Sequence, residues 1–320
     1  MLACLQVQAA SVFILHSYSQ EYNWTRRQHA SFVQRVESQA KSDVLISTEY
    51  LDTKRHAYND DYAQELYRHL QIKYAGYHPD LIYVTDDNAL GFARAYLTSL
   101  FPDVPVVFSG VNNYSMLNKI DPKLMTGVFE KKEITPNIDI IKHVGARRET
   151  MAFIGDASNT YHAIEHEIIT ELTKYPDLTA KFRSSEVIDD IVTGLGQCGC
   201  KYVFLTTIGG IKDGSGKSLS LKEIIRRITE ADQFALLSME DGYLYDGVVG
   251  GYVTSGEGQG EAAADIALKI LSGTPVSDLH PVLKSPNKYI FDQRELKRLG
   301  IILPENILSI ADILHPDISF

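Results

Sequence analysis

The chain has 320 residues, 44% of them hydrophobic and 22% charged, so it can bury more than one core and is not a disordered or fibrous protein. Its net charge of -10 and its pI near 5.5 argue against nucleic acid as a partner, because that binding needs clustered Lys and Arg. The sequence has no stretch of 18 or more apolar residues, so a membrane contact is expected only through a segment outside this chain.

The first ten residues are apolar and then small, and Val7-Gln8-Ala9 resembles a signal-peptidase site. We therefore expect residues 1–10 to be the remnant of an export signal and the protein to be periplasmic or otherwise extracytoplasmic. Cys4 lies too close to the start to follow the apolar run of a lipoprotein signal. Cys198 and Cys200 are one residue apart, which strains a disulfide, and no second pair completes a zinc site, so two free side chains are expected.

From residue 11 the hydrophobic pattern alternates between short strands and longer helices. In chain order it predicts a strand at 12–16, a helix at 24–40, a strand at 44–49, a helix at 58–74, a strand at 81–84, a helix at 89–100 and a strand at 105–108. This alternation predicts a parallel sheet with helices on both faces. The first lobe would end near residues 126–129.

A second series of the same kind follows. It consists of a helix at 134–144, a strand at 150–154, a helix at 159–175, strands at 182–188 and 202–206, a helix at 220–231 and a strand at 234–238. The glycine-containing run 247–253 suits a crossing between lobes, and residues 259–271 form a helical pattern. The apolar stretch 288–291 and a short helix at 292–299 end the series. The predicted fold class is therefore α/β, with two Rossmann-like, doubly wound parallel-sheet lobes.

Small polar residues follow at least five of the predicted strands. In an open α/β sheet this edge presents unpaired backbone groups and helix N-termini to a ligand. We therefore predict a small-molecule site formed by Ser17, Tyr18, Trp24, Asp86, Asp87, Ser109 and Asn112 from the first lobe and by Asp156, Asn159, Thr160, Thr207, Glu240 and Asp241 from the second. Helix capping and turn formation are the commoner roles for any one of these residues, and that alternative stays open.

The residue types favour a zwitterionic ligand. Carboxylates and aromatic rings both attract a cation. The carboxylates are those of Asp86, Asp87, Glu240 and Asp241, and the aromatic rings are those of Tyr18, Tyr22, Trp24 and Tyr243. Hydroxyls and helix N-termini suit a carboxylate. An amino acid or related zwitterion is the expected ligand, with a sugar as the open alternative. We expect no cofactor and no bound metal.

Two motifs point to other functions. His162-Ala163-Ile164-Glu165-His166 fits the H-x-x-E-H pattern of a zinc hydrolase, but a third ligand must come from elsewhere, and an ordinary helix surface is the simpler interpretation. Asp213 to Ser218 resembles a phosphate-binding loop, but Gly210 lies one residue too early for that motif. We expect a turn there, followed by a helix that Ser220 caps with Glu223 three residues on.

Other enzyme signatures are also incomplete. Residues 256–260 contain three glycines but do not match the dinucleotide fingerprint, so a flexible entry to the next helix is expected. Ser109 lacks the first glycine of a nucleophile elbow. The sequence therefore favours a non-enzymatic binding module, and a zinc-dependent hydrolase using His162, Glu165 and His166 is the alternative from another class.

Six short motifs, taken in their order and spacing, resemble the type I periplasmic-binding-protein superfamily. More narrowly, they resemble its ABC-transporter-substrate-binding-like family. The motifs are His16-Ser17-Tyr18, Tyr22-Asn23-Trp24-Thr25, Tyr83-Val84-Thr85-Asp86-Asp87, Val107-Phe108-Ser109-Gly110-Val111-Asn112, Val248-Val249-Gly250-Gly251 and the run from Phe291 to Ile301. The resemblance extends from residue 11 to about 310.

This resemblance implies two lobes joined by a three-strand hinge that close on a small ligand. It would place residues 11–127 and 253–283 in lobe 1, and residues 128–252 and 284–320 in lobe 2. Members occur as free periplasmic components and as sensor domains of histidine kinases and diguanylate cyclases. The Tyr22–Thr25 loop is closer to the sensor branch, so an extracytoplasmic sensor domain is expected. The alternative is a free solute-binding component whose partner is an ABC permease.

Overall fold

The structure, a computed structural model, describes residues 9–143, 150–231 and 234–315, without the side chains of His143 and Asn159. The chain divides into unit 1, Met1–Glu130 with Gly256–Pro286, and unit 2, Lys131–Ser255 with Asn287–Phe320. The chain passes from one unit to the other after residues 130, 255 and 286. Each of these positions lies three residues beyond the boundary expected from the sequence. Most of the expected signal remnant, residues 1–8, lies outside the described residues.

The strands of the described residues form two sheets, one in each unit. In chain order they are β1 Ala10–His16, β2 Val44–Tyr50, β3 Leu81–Thr85, β4 Val106–Val111, β5 Met125–Phe129, β6 Thr150–Gly155, β7 Thr179–Ser184, β8 Tyr202–Thr207, β9 Ala235–Ser238, β10 Val248–Val253, β11 Lys288–Asp292 and β12 Asp312–Leu314. Unit 1 has the order β2-β1-β3-β4-β5, and unit 2 has the order β12-β11-β10-β9-β8-β6-β7. Every pair is parallel except β10 with β11, which is antiparallel. The predicted α/β class with two parallel-sheet lobes is confirmed, apart from this pair.

Helices cover the faces of these parallel sheets, as crossover connections require. They are α1 Asn23–Gln39, α2 Asp60–Lys73, α3 Asp86–Phe92, α4 Thr98–Leu100, α5 Ile134–His143, α6 Asn159–Leu172, α7 Ile188–Gly196, α8 Leu221–Thr229, α9 Gly256–Leu271, α10 Gln293–Leu299 and α11 Glu305–Leu308. A π-helical turn, Ala93–Leu97, joins α3 to α4. The Ser220 side chain accepts a hydrogen bond from Glu223 N, so the predicted cap of α8 is confirmed.

One strand was predicted in the wrong place, and the helix after it was missed. The prediction extended this strand over 182–188, but β7 ends at Ser184 and α7 begins at Ile188. The β-branched Val187 and Ile188 favour a strand locally. However, α7 buries Ile188, Ile191 and Leu195 at helical spacing, and the acidic residues of its first turn suit a helix N-terminus. Tertiary burial therefore outweighed local propensity.

Unit 1 is held together by close packing between α1 and α9. Gly260 of α9 lies against the backbone carbonyl of Gln28 and the Ser31 hydroxyl, where no Cβ would fit. Arg35 adds a two-pronged ion pair to Asp265, at 2.6 and 3.0 Å. The glycines at 256–260 thus serve a helix contact, and the expected flexible entry is wrong, because α9 already begins at Gly256. This contact sets the position of α1.

The core of unit 2 contains a column of stacked aromatic rings. Phe153 lies with its ring centroid 4.9 Å from that of Phe204 and 5.3 Å from that of Phe182. On the other face, Cys198 and Cys200 are joined in a disulfide, with Cα atoms 5.1 Å apart. The expectation of two free side chains is therefore wrong, because the turn before β8 brings the two Cα atoms within the range that a disulfide spans.

Candidate functional site

Asp86 is the centre of the polar edge of unit 1, directly after β3. It is only 3% exposed and has a left-handed backbone, with φ +66°, which is uncommon for residues other than glycine. The Trp24 indole Nε1 donates a hydrogen bond to its Oδ1 at 2.9 Å, and the Gln28 amide donates to its Oδ2 at 3.5 Å. Trp24 and Gln28 lie one turn apart on α1, so both donors reach the carboxyl from the same helix face.

A glycine makes room for this arrangement. Gly110 in β4 has φ +71°, and a Cβ at this position would lie 2.8 Å from Asp86 Oδ1 and 3.1 Å from Gln28 Oε1. The Ser109 hydroxyl next to it donates to Gln28 Oε1 at 2.6 Å and lies 2.7 Å from the Tyr83 hydroxyl. Ser109 is fully buried. Both hydrogen bonds of the Ser109 hydroxyl are therefore made to residues of unit 1, Gln28 and Tyr83.

Asp87 holds the loop that follows β4. Its carboxyl oxygens accept hydrogen bonds from the backbone N–H groups of Asn112 and Asn113, at 3.2 and 3.1 Å. The Asn112 side chain donates in turn to the Glu130 carbonyl at 3.4 Å. Burial raises the pKa of Asp87 to about 6, against the effect of these two backbone donors, which lower it. Turn chemistry, the alternative left open above, describes the observed contacts of Asp87.

Ser17 and Tyr18 follow β1 at the same edge. The Ser17 hydroxyl donates to the Thr85 carbonyl at 2.7 Å and accepts from Ala89 N at 2.8 Å, so it ties the end of β1 to the start of α3. The Tyr18 ring is 8% exposed, and the Lys54 ammonium lies 5.1 Å from its centroid. Tyr18 thus presents an aromatic face that already attracts a cation.

Buried carboxyl groups dominate the electrostatics of this edge. Burial raises the pKa of Asp86 well above its ordinary value; the Trp24 hydrogen bond opposes this, and the nearby charges of Glu130 and Asp87 add to it. Burial also raises the pKa of Tyr18, and the charge of Asp86 raises it further. Among the described residues, no Lys or Arg forms an ion pair with Asp86 or Asp87. A positively charged ligand group would therefore be stabilised here.

Two histidines lie directly behind this edge. His16, fully buried at the end of β1, has Nδ1 3.0 Å from Thr85 Oγ1 and Nε2 3.0 Å from His29 Nδ1. Burial lowers the pKa of His16 well below its ordinary value, and the neighbouring His29 lowers it further. Burial also lowers the pKa of His29, and Glu37 opposes that shift. The pair links α1 to the residue that precedes Asp86.

The polar edge of unit 2 is built in a similar way around Asp156, after β6. Its Oδ2 accepts from Gly210 N at 2.8 Å and from the Thr207 hydroxyl at 3.4 Å, and its Oδ1 accepts from Ser158 N at 3.3 Å. The next residue, Ala157, has a left-handed backbone with φ +57°. The structure thus brings Asp156 and Thr207 together at the carboxyl ends of neighbouring strands.

Glu240 and Asp241 follow β9, the next strand of that sheet. Glu240 is buried and forms an ion pair with Lys132, whose Nζ lies 3.3 Å from the Glu240 carboxylate and 3.3 Å from the Thr254 hydroxyl. Asp241 is buried beside it, in a short 3-10 turn. Thr160 lies in the first turn of α6 and is half-buried. The predicted role of the Asn159 side chain lies outside the described residues.

The hydrolase motif forms no metal site in the described part of the chain. His162 Nδ1 lies 3.4 Å from Glu165 Oε2 on α6, and the His162 side chain is 58% exposed. No cluster of three or more His, Cys, Asp or Glu among the described residues could hold a metal ion. The phosphate-loop-like segment folds on itself, because Asp213 Oδ1 accepts from the backbone N–H groups of Ser215 and Lys217.

Four residues at these edges were missed by the sequence analysis: Gln28, His16, His29 and Lys132. For Gln28 a signal existed, since a polar residue four positions after Trp24 and four before Phe32 lies on the buried face of α1. The contacts of His16 and Lys132 join residues 69 and 108 positions apart, and no local pattern predicts them.

Replacing Asp87 by Ala should lower the free energy of unfolding by about 0.5–2 kcal/mol, because two backbone N–H groups lose their acceptor. Ligand affinity should also fall, since the loop that carries Asn112 is no longer held. Chemical denaturation and ligand titration measure the two effects, with Asp87→Asn, which keeps one acceptor oxygen, as the milder control. Normal binding with only a stability loss would reduce Asp87 to a turn residue.

Comparison with known proteins gives one family match. Residues 220–314 match the family described as ABC transporter substrate binding protein. No curated protein sequence matches the chain. In the part of the chain that the structure describes, no helix combines the length and apolar character needed to cross a membrane.

Solved structures share the fold over most of the chain. The ABC domain of Streptococcus pneumonia in complex with L-Trp has a TM-score of 0.68 at 15% identity, covering 96% of this chain and 100% of that one. A ligand-free, open substrate binding protein from Clostridium difficile gives 0.64 at 17%, covering 96% and 99%. A solute binding protein from Rhodopseudomonas palustris, in complex with 3,4-dihydroxy benzoic acid, gives 0.59 at 9%, covering 84% and 83%. At these identities the likeness concerns the fold.

Proposed function

We propose that this chain belongs to the type I periplasmic-binding-protein superfamily and is the solute-binding component of an ABC transporter. The match of residues 220–314 to the family described as ABC transporter substrate binding protein, and the fold shared with solved binding proteins, support this proposal. The observation that carries the proposal is the placement of buried polar side chains at the carboxyl edge of each sheet, where ligands of open α/β sheets bind. Its partners are then a small solute and an ABC permease, and its location is extracytoplasmic.

The sensor-domain interpretation has less support. It was expected from the Tyr22–Thr25 loop alone, whereas the family match over 220–314 is to transporter components. The coding sequence after Phe320 separates the two, since a membrane helix followed by a kinase or cyclase domain would identify a sensor.

The chemistry of the edges favours an amino acid or related zwitterion. In unit 1, Asp86 and Asp87 offer carboxyl groups next to the aromatic Tyr18 and Trp24, which suits an ammonium group. Two similar structures contain small molecules with aromatic rings, L-Trp and 3,4-dihydroxy benzoic acid. An aromatic ring with an ammonium group would combine these features, and a sugar stays as the alternative.

A ligand screen should show stabilisation by amino acids or small amines and none by sugars. At 100 times its dissociation constant a ligand adds about 2.7 kcal/mol to the free energy of unfolding, which a thermal-shift assay detects. Trp24 is the sole tryptophan, so its fluorescence reports binding at this edge independently. Stabilisation by sugars alone would refute the prediction of a zwitterionic ligand, and no response to any small molecule would contradict the solute-binding function. Metal analysis of the purified protein is a separate test, in which stoichiometric zinc would favour the hydrolase alternative.

A further inference from the structure

We propose, on the basis of the proposed solute-binding function, that a one-directional chain of hydrogen bonds holds the Asp86 carboxyl group as an acceptor for a cationic group of the solute. In this series of hydrogen bonds, Gln28 is the residue that positions the Asp86 carboxyl group. The chain starts at the Tyr83 hydroxyl and passes through Ser109 and Gln28 to Asp86.

The direction of each bond follows from the atoms involved. The Gln28 amide oxygen can only accept a hydrogen bond, so the Ser109 hydroxyl, 2.6 Å away, donates its single proton to this oxygen. The bond between Tyr83 and Ser109, at 2.7 Å, must then be donated by Tyr83. All the hydroxyl protons therefore point toward Gln28.

This direction orients the Gln28 amide. With its oxygen engaged by Ser109, its NH2 group faces Asp86 Oδ2 at 3.5 Å, and the Trp24 indole, which can only donate, faces Oδ1 at 2.9 Å. Both carboxyl oxygens thus meet donors contributed by α1. These donors favour the ionised form of the carboxyl group and so oppose burial, which raises its pKa.

Burial keeps these hydrogen bonds in place and favours a cationic ligand group at Asp86. Tyr83, Ser109 and Gln28 are fully buried, so no bond in the chain can be exchanged for bulk water. The two carboxylate oxygens have about four lone-pair positions, and the donors from Trp24, Gln28 and the Thr85 side chain use three of them, which leaves one for a ligand. A cationic group on the solute would supply the charge that Asp86 does not receive from any described Lys or Arg.

The test replaces the NH2 donor that faces Asp86 with a carboxyl group of nearly the same shape. Gln28→Glu is nearly isosteric but places a carboxyl opposite Asp86, so the two groups must share a proton. Carboxyl NMR of protein labelled at aspartate, with Asp86→Asn to assign the signal, reads the ionisation of Asp86 without any ligand. We expect its titration to move upward by at least one pH unit in Gln28→Glu, and in the same direction but less in Ser109→Ala, which removes the orienting donor and adds no charge.

Binding is then measured by calorimetry with L-phenylalanine and with 3-phenylpropanoate, which lacks only the ammonium group. In Gln28→Glu the affinity for L-phenylalanine should fall at least tenfold at pH 7, and that for 3-phenylpropanoate should change less than twofold. An unchanged Asp86 titration overturns the positioning role of Gln28, whatever binds. Equal changes for both probes overturn the cation assignment. If neither probe nor any screened compound binds the wild type, the proposed function fails, and the titration still decides the role of Gln28.

Discussion

Substituting Ala for Gly260 should lower the free energy of unfolding by about 1–3 kcal/mol, whereas the same substitution at Gly91 should raise it by about 0.5–1 kcal/mol. Both glycines lie inside helices of unit 1. At Gly260 a Cβ would meet the backbone carbonyl of Gln28, while at Gly91 it would meet nothing within 4 Å. The gain in helix propensity is equal at the two sites, so the difference between them measures the α1–α9 contact.

Chemical denaturation of the two variants gives both values. A second consequence distinguishes the sites, because α1 carries Trp24 and Gln28, the donors to Asp86. A shift of α1 in Gly260→Ala should change the Trp24 fluorescence of the folded protein, and Gly91→Ala should leave it as in the wild type. If Gly260→Ala were as stable as Gly91→Ala, α9 would not be what fixes α1.

Lowering the pH from 7 to 5 should destabilise the protein through the His16–His29 pair. Burial lowers the pKa of both groups in the folded state, so between their folded and unfolded pKa values the unfolded chain binds more protons. Stability is then fully present above the unfolded value near 6.5 and is lost as the pH falls below it. A pKa difference of one unit corresponds to about 1.4 kcal/mol for the fully buried His16, and solvent screening makes the contribution of the partly exposed His29 smaller.

Variants isolate this contribution from that of the carboxyl groups. The raised pKa of Asp87, about 6, acts in the opposite direction, because the folded state takes up that proton first as the pH falls. His16→Gln and His29→Gln should each reduce the acid loss of stability, measured as the pH slope of the unfolding free energy. His56→Gln is the matched control, since the His56 side chain is 65% exposed and should leave the slope unchanged. An identical slope in all three variants would contradict the role of the pair.

The sequence by itself determined the α/β class, because buried parallel strands read as continuous apolar runs and helices as stripes with a 3.6-residue period. Strands such as 81–84 and 202–206, and the Ser220 cap of α8, depend on neighbouring residues only, and the structure reproduces them to within a residue or two. The position of the polar residues at the strand ends could be predicted for the same reason. Parallel strands place their carboxyl ends at one edge of a sheet, whatever the rest of the fold does.

The tertiary structure alone decided how those polar residues are used. Gln28 and Asp86 are 58 positions apart, and His16 and Thr85 are 69 apart, so no periodicity relates them. The space that Gly110 leaves for the Asp86 carboxyl, and the space that Gly260 leaves for the backbone of α1, exist only once distant elements have packed. The same holds for α7, where burial of Ile188, Ile191 and Leu195 outweighed a local preference for strand. Local patterns encode which edge carries polar groups; the hydrogen-bond partners and charge states of those groups arise from packing between segments far apart in the chain.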